Sequence, residues 1–276
     1  MKPVPFEYRR ATSIDEALQE LVAAQGAAKI IAGGQSLGPM LNLRLARPSV
    51  LIDIAGITEL KRVQDLGSKI FIGGGTTHAS IEDGILPATT IGLLQAVARR
   101  IAYRAVRNRG TIGGSLAHAD PAADWILALT ALDAAVIVRG PAGSRTVPIT
   151  SLLRAPFTTI LTENEIIVGV EIATLSSDAV WAHHKFSRKV GKFADAAAVV
   201  VLDHRLGFCR VVLGTPDAAP LVMPFLADEL LSEPKRRLAF DTISSAVETA
   251  GLAADSFDRQ LQTAVLARAT EKLVLQ

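Results

Sequence analysis

The sequence predicts an α+β fold, and three observations carry that prediction. Short apolar runs ending in glycine recur through the first quarter of the chain. After residue 176 long apolar runs separated by turns read as an antiparallel meander, and three helical patterns close the chain. Helices and strands do not alternate as a parallel βαβ array would, which separates the pattern from the α/β class.

Taken in order, "FEYRRA" reads as a short strand. "TSIDEALQELVAAQG" reads as a helix, with Ser13 and Glu16 spaced as a capping box and Gly26 as the stop. "AKIIAGG" is a strand entering a glycine turn, and "VLIDIAG" and "SKIFIGGG" repeat that form. Helical spacing returns over 87–102 and over 121–134, the second opening with Pro121, a residue suited to a first helical turn. "AAVIVRG" and "SRTVPI" form a hairpin around Pro141 and Gly143, and "NEIIVGVEIA" is a further strand. "VWAHHKFSRK", "AAAVVVLDH" and "FCRVVLGT" make the meander, the last two joined tightly at 205–207; helices follow near 220–231, 234–250 and 256–272. Changes of character near 58 and 176 divide the chain into 1–58, 59–176 and 177–276, with no repeat of 20–50 residues.

The 276 residues are 49% hydrophobic, and 29 basic side chains face 27 acidic ones, so no field of one sign is present to hold a polyanion; nucleic acid is not an expected partner. No apolar stretch approaches the 18 residues of a membrane span. Arg9-Arg10 is followed by an acidic amphipathic segment and not by the apolar run of an export signal, so the expected location is cytoplasmic. One cysteine, Cys209, allows no internal disulfide and cannot alone hold an iron–sulfur cluster.

Gly34-Gln35-Ser36-Leu37-Gly38 matches the G-x-S-x-G elbow of a hydrolase literally. An elbow needs a sheet already built before the serine and a helix after it. Only about one strand and one helix precede Ser36, Pro39 stands where the elbow helix should run, and nothing selects a base among His183, His184 and His204. The alternatives are a structural turn and, favoured here, a loop that donates hydrogen bonds to a phosphate. "GGGTTH" lacks the third glycine of a dinucleotide fingerprint, since His78 stands there, and Gly191-Lys192 is followed by Phe193, which breaks a P-loop.

The densest motif is "RNRGTIGGSLAHADPAADWILAL", residues 107–129. Gly110, Gly113 and Gly114 among Thr111 and Ser115 suggest a concave nest of backbone N–H groups, with glycine required for close approach and for positive φ. Two such nests, "AGGQS" and "TIGGS", suggest a diphosphate clamped between them. His118, Asp120 and Asp124 form a potential metal trio, but one histidine and two carboxylates beside a proline are the more ordinary material of a polar turn and helix cap, so no metal is expected. Asp124 suits either a ribose hydroxyl contact or the first turn of a helix.

The segments "AGGQSLGPMLNLRLARPSVLIDI", "IGGGTTHASIE" and "RNRGTIGGSLAHADPAAD" resemble the FAD-binding medium subunit of molybdenum hydroxylases, the carbon monoxide dehydrogenase and xanthine dehydrogenase family, and the resemblance extends over nearly the whole chain. It implies a two-subdomain FAD-binding domain of the vanillyl-alcohol-oxidase (PCMH) type, followed by a C-terminal antiparallel sheet with helices of the carbon monoxide dehydrogenase flavoprotein type. Ala32, Gly33, Gly34, Gln35, Ser36 and Leu37 then form the first diphosphate loop, and Gly110, Thr111, Gly113, Gly114 and Ser115 the second. Asp124 matches an acidic FAD contact, Ile101 and Leu161 apolar contacts, and Lys185 a lysine near the flavin, where its charge is expected to favour the reduced anionic ring. Phe193 either covers a flavin face or packs in the core. Lys192 departs from the acidic residue common at that place, which alters the charge expected around the ring.

The resemblance further implies partners: a large molybdopterin-binding subunit and a small [2Fe–2S] subunit, assembled as a dimer of heterotrimers. Electrons would pass from molybdenum through two clusters to FAD here and on to an external acceptor, so this chain itself carries no residue of the hydroxylation chemistry. A stand-alone flavoprotein reductase of the same fold and a flavin-free binding or assembly module are the rival readings.

Overall fold

The computed structural model describes residues 2–233, 237–251 and 255–275. The chain opens with β1 (Glu7–Arg10), α1 (Ile14–Ala23), β2 (Ala28–Ile31), α2 (Leu37–Asn42) and β3 (Val50–Asp53), and the three strands form a wholly parallel sheet in the order β1-β3-β2. The first 53 residues therefore do alternate, against the expectation for the chain as a whole. The reason is that the connections through α1 and α2 return the chain to the same end of the sheet, where β3 enters between β1 and β2 and parallel to both. The Ser13 hydroxyl accepts from the Glu16 N–H at 3.1 Å, but the Glu16 carboxylate turns to the Thr12 N–H at 2.7 Å, so the box closes one residue earlier than its pattern predicts. Ile14, Ala17, Leu18 and Leu21 bury the inner face of α1 against Ile52, Ile57 and Leu60. α2 is a helix despite Pro39, because the proline falls in its first turn, where no N–H donor is needed.

The middle of the chain contains β4 (Val63–Asp65), β5 (Lys69–Gly73), α3 (His78–Glu82), α4 (Leu93–Ala98), α5 (Arg104–Arg107), α6 (Ile112–His118), α7 (Asp124–Ala131), β6 (Ala135–Gly140), β7 (Gly143–Pro148), β8 (Leu153–Ala155), β9 (Thr158–Thr159) and β10 (Ile166–Ala173). Five strands form an antiparallel sheet in the order β4-β5-β10-β6-β7, and β8 pairs with β9. The helix expected over 87–102 is only the six residues of α4, because Ile91 and Gly92 take φ of 53° and 74°, which no α-helix accommodates. Pro121 lies before α7 and not in its first turn; Asp124 is the first helical residue, and every residue of α7 is buried.

The last part contains β11 (Val180–Phe186), β12 (Ala196–Asp203), β13 (Phe208–Gly214), β14 (Leu221–Val222), α8 (Pro224–Ser232), α9 (Phe240–Ala250) and α10 (Ser256–Val274). Its strands form the predicted antiparallel sheet in the order β11-β12-β13-β14, and Pro224 opens α8 at the position proline favours. Residues 234–236, where the second closing helix was expected to begin, lie outside the described residues; α9 starts at Phe240. All eight residues of β12 are buried. Ala197, Val199 and Val201 join the core around α7 and β10, while Ala196, Ala198, Val200 and Leu202 join the core under α8, α9 and α10. No helix among the described residues is long and apolar enough to cross a membrane.

Candidate cofactor site

The first glycine loop leaves β2 and turns at Gly34, whose φ of 71° is the left-handed conformation that glycine adopts freely. Gly33 is glycine for another reason: a Cβ there would lie 1.9 Å from the Arg109 carbonyl oxygen and 2.9 Å from Gly110 Cα. The two loops, 76 positions apart, thus lie directly against each other. The Gln35 side-chain amide donates to the Gly33 carbonyl at 3.0 Å and braces the turn. Among the described residues, the amides of Gly33, Gly34, Gln35, Ser36 and Leu37 donate to no acceptor of the chain. The Ser36 hydroxyl does not cap α2 and, among the described residues, hydrogen-bonds to no histidine or carboxylate, which an activated nucleophile would require.

The second loop differs from its expected form. Thr111 caps α6, its Oγ1 accepting from the Gly114 N–H at 3.1 Å. The Ile112 and Gly113 amides donate to Thr76 O at 3.1 Å and Gly74 O at 2.8 Å, while those of Gly110 and Ser115 donate to Val106 O and Thr111 O. Among the described residues, only the Thr111 amide in this run is left without an acceptor. Nor do Gly110, Gly113 and Gly114 take positive φ. They are small because they are packed: a Cβ on Gly113 would stand 2.7 Å from Gly74 O, and one on Gly110 2.7 Å from His78 Nε2. The 73–76 turn therefore supports the second loop from beneath, a role that its failure as a dinucleotide fingerprint did not reveal.

His78 is the residue that sequence reasoning missed. Its Nδ1 accepts from the Trp125 indole N–H at 2.9 Å, which leaves the proton of the neutral ring on Nε2, beside Gly110. Its backbone N–H donates to Gly110 O at 2.9 Å. Burial, with the nearby Arg107 charge, lowers its pKa to about 4. One imidazole thus joins α3, the second loop and α7.

Asp124 and Lys185, each assigned to a cofactor from sequence, meet each other: Lys185 Nζ lies 2.8 Å from Asp124 Oδ2, both side chains buried. Burial pushes the Asp124 carboxyl up from the ordinary range, against the pull of the Lys185 ammonium and of Arg100. Arg100 also donates to Lys185 O at 3.4 Å. A small cavity beside this pair is lined by Pro121, Ala122, Asp124, Leu127, Ala194 and Thr215. Ile101 and Leu161 are half-buried against the main core. Phe193 is 61% exposed, which excludes the core-packing alternative. Its loop lies along the segment that carries Ile101, since a Cβ on Gly191 would come within 2.7 Å of Ala102 O. The potential metal trio is dispersed: His118 stacks at a tilt on Phe157, Asp120 accepts from the Ala122 N–H and Asp124 holds Lys185.

Residues 4–174 match a family described as the FAD binding domain in molybdopterin dehydrogenase. The chain is 41% identical to the 6-hydroxypseudooxynicotine dehydrogenase complex subunit alpha of Paenarthrobacter nicotinovorans over 207 residues, 74% of this chain and 70% of that one. It is 38% identical to the carbon monoxide dehydrogenase medium chain of Hydrogenophaga pseudoflava over 202 residues, 73% of this chain and 70% of the other. Among solved structures, a reconstituted CO dehydrogenase from Oligotropha carboxidovorans superimposes with a TM-score of 0.91 at 28% identity, covering 100% of this chain and 99% of its counterpart. With two glycine loops abutting and a match across most of the first 174 residues, the chain belongs to the family of FAD-binding domains of molybdopterin dehydrogenases.

Proposed function

We propose that this chain is the FAD-binding medium subunit of a molybdenum-containing hydroxylase or dehydrogenase, an oxidoreductase, and that it binds FAD with the diphosphate across the two abutting loops. The single observation that carries the placement is the run of five backbone amides, from Gly33 to Leu37, with no acceptor among the described residues, beside a second loop that only glycine lets come so near. Such a donor set fits an organic diphosphate. Bound FAD supplies the exchange between one-electron and two-electron carriers. The chain's residues do the rest. The Ser36 hydroxyl and the loop amides donate to the diphosphate, with Thr111 and Ser115 on the facing loop. Ala32, Gly34, Gln35, Leu37, Gly110, Gly113 and Gly114 shape the cradle. Ile101, Leu161 and exposed Phe193 offer apolar surface, and Asp124 with Lys185 forms a buried polar floor.

The partners are a large molybdopterin-binding subunit and a small [2Fe–2S] subunit, in a dimer of heterotrimers; relatives named as a medium chain and as a complex subunit support this. The single cysteine agrees, since clusters must then sit in another chain. The division at residues 58 and 176 and a cytoplasmic location belong to the same reading, the latter tested by cell fractionation. Purification of the chain from its own host is the decisive experiment. A yellow protein carrying FAD, together with a cysteine-rich small chain and a large chain, is the expected result. A yellow protein that purifies alone would support the stand-alone reductase, and a colourless one that takes up no FAD would overturn the assignment.

A further inference from the structure

A diphosphate carries negative charge on both phosphates, and backbone amides supply partial charges only. The second loop supplies fewer of these than its sequence suggests, because the Ile112, Gly113 and Gly114 amides are already bonded within the chain. A formal cation near the seam between the loops would add charge neutralisation to those amides, and several arginines are engaged elsewhere; Arg10 lies along Gly56. Arg107 is held by Glu82 at 2.7 Å, Arg104 by Glu82 and Asp83, and Arg9 by Glu7 and Glu20. Lys185 is buried against Asp124. Arg44 and Arg47 follow the C-terminal end of α2, opposite to the end where the free amides lie, and donate to Lys2 O and Arg44 O.

Arg109 is different. It is exposed, and among the described residues it has no carboxylate partner. Its carbonyl lies directly beneath Gly33, and its Nε stands 3.4 Å from Gly33 O, the longest and weakest kind of hydrogen bond and one a better acceptor would displace. With Gly110 it forms the stretch of the second loop that meets Gly33.

We propose that Arg109 is a diphosphate-binding residue, whose guanidinium swings from the Gly33 carbonyl to neutralise the phosphates held by the Gly33–Leu37 amides. Arginine suits this task because its planar fork can take two phosphate oxygens at once. The ligand class is an organic diphosphate, and the inference rests on the FAD reading above.

The test uses the full chain freed of flavin, titrated with FAD at low and at high salt. Arg109→Gln keeps a donor for Gly33 O while removing the charge. It is expected to raise the FAD dissociation constant about tenfold and to flatten its salt dependence. Arg109→Lys is expected to keep the salt dependence and most of the affinity. A purely structural role for Arg109 would weaken binding equally at every salt concentration and would not be rescued by lysine; that pattern, or wild-type behaviour of Arg109→Gln, overturns the proposal. If Arg109→Gln does not fold, the lysine variant decides alone, since loss of affinity without change in salt dependence also overturns it. Failure of the wild-type chain to take up FAD would instead sink the FAD reading, and this inference with it.

Discussion

Gly33 and Gly38 stand five positions apart in the same glycine-rich run, and only one of them is structurally required. A methyl group on Gly33 would collide with the Arg109 carbonyl, and both atoms belong to backbone that neither loop can move without opening the seam. Gly33→Ala is expected to cost about 1–3 kcal/mol in chemical denaturation and to abolish FAD uptake. Gly38 has open space and lies in α2, so Gly38→Ala is expected to leave uptake intact and to add up to about 1 kcal/mol. His78 carries a pH signature. Its ring is held neutral in the fold, with a pKa of about 4 against an ordinary value near 6.5, so the unfolded chain binds the proton more tightly. The stability it lends is fully present above pH 6.5 and is lost as pH falls toward 4, about 3 kcal/mol over that window. Buried His183, lowered to about 3, works in the same direction. Urea unfolding measured at intervals from pH 7 to 4.5 should show the decline. His78→Leu should make it shallower, with His183 keeping part of the decline, while costing about 1–3 kcal/mol at neutral pH because the Trp125 N–H loses its acceptor. The glycine loops were legible in the sequence because small residues in clusters have few other uses. His78 was not, since its meaning depends on a tryptophan 47 positions away.

Between elements, the buried contact of Lys185 on β11 with Asp124 on α7 is the one to test. Removing one partner strands the other charge out of water. Lys185→Met is therefore expected to cost about 3–5 kcal/mol, and the double variant with Asp124→Leu to recover most of that loss; thermal and urea unfolding of all four combinations measure the coupling. Most elements could be read from periodicity alone, as the meander shows: β11, β12 and β13 are seven or eight residues long, and β12 and β13 are rich in valine. The failures share a cause. α4 is shortened by left-handed residues at 91 and 92, β4 is three residues long, and the partner that makes β3 parallel to both β1 and β2 is invisible to any local window. The second loop was legible as a loop but not as one whose amides are already used, because Gly74 and Thr76, which accept from them, lie in a different motif.

At the scale of the molecule, the main hydrophobic core does not stop at residue 176. Ala194, Ala197, Val199, Val201 and Val212 complete a core whose other members come from the middle of the chain, and the Trp181 indole N–H donates to Ile91 O across the same junction. A fragment ending at 176 would expose that face, so residues 1–176 made alone are expected to bind a hydrophobic dye and to aggregate, as read by fluorescence and size-exclusion chromatography. The position of β12 between two cores has a bearing on biosynthesis as well. A nascent chain still lacking β12 and β13 has made both glycine loops but not the residues that complete the core around α7, so the loops are expected to become rigid only after residue 212 has left the ribosome. On the proposed reading, FAD uptake is thereby expected late in the life of the polypeptide, after translation of a segment outside both glycine loops.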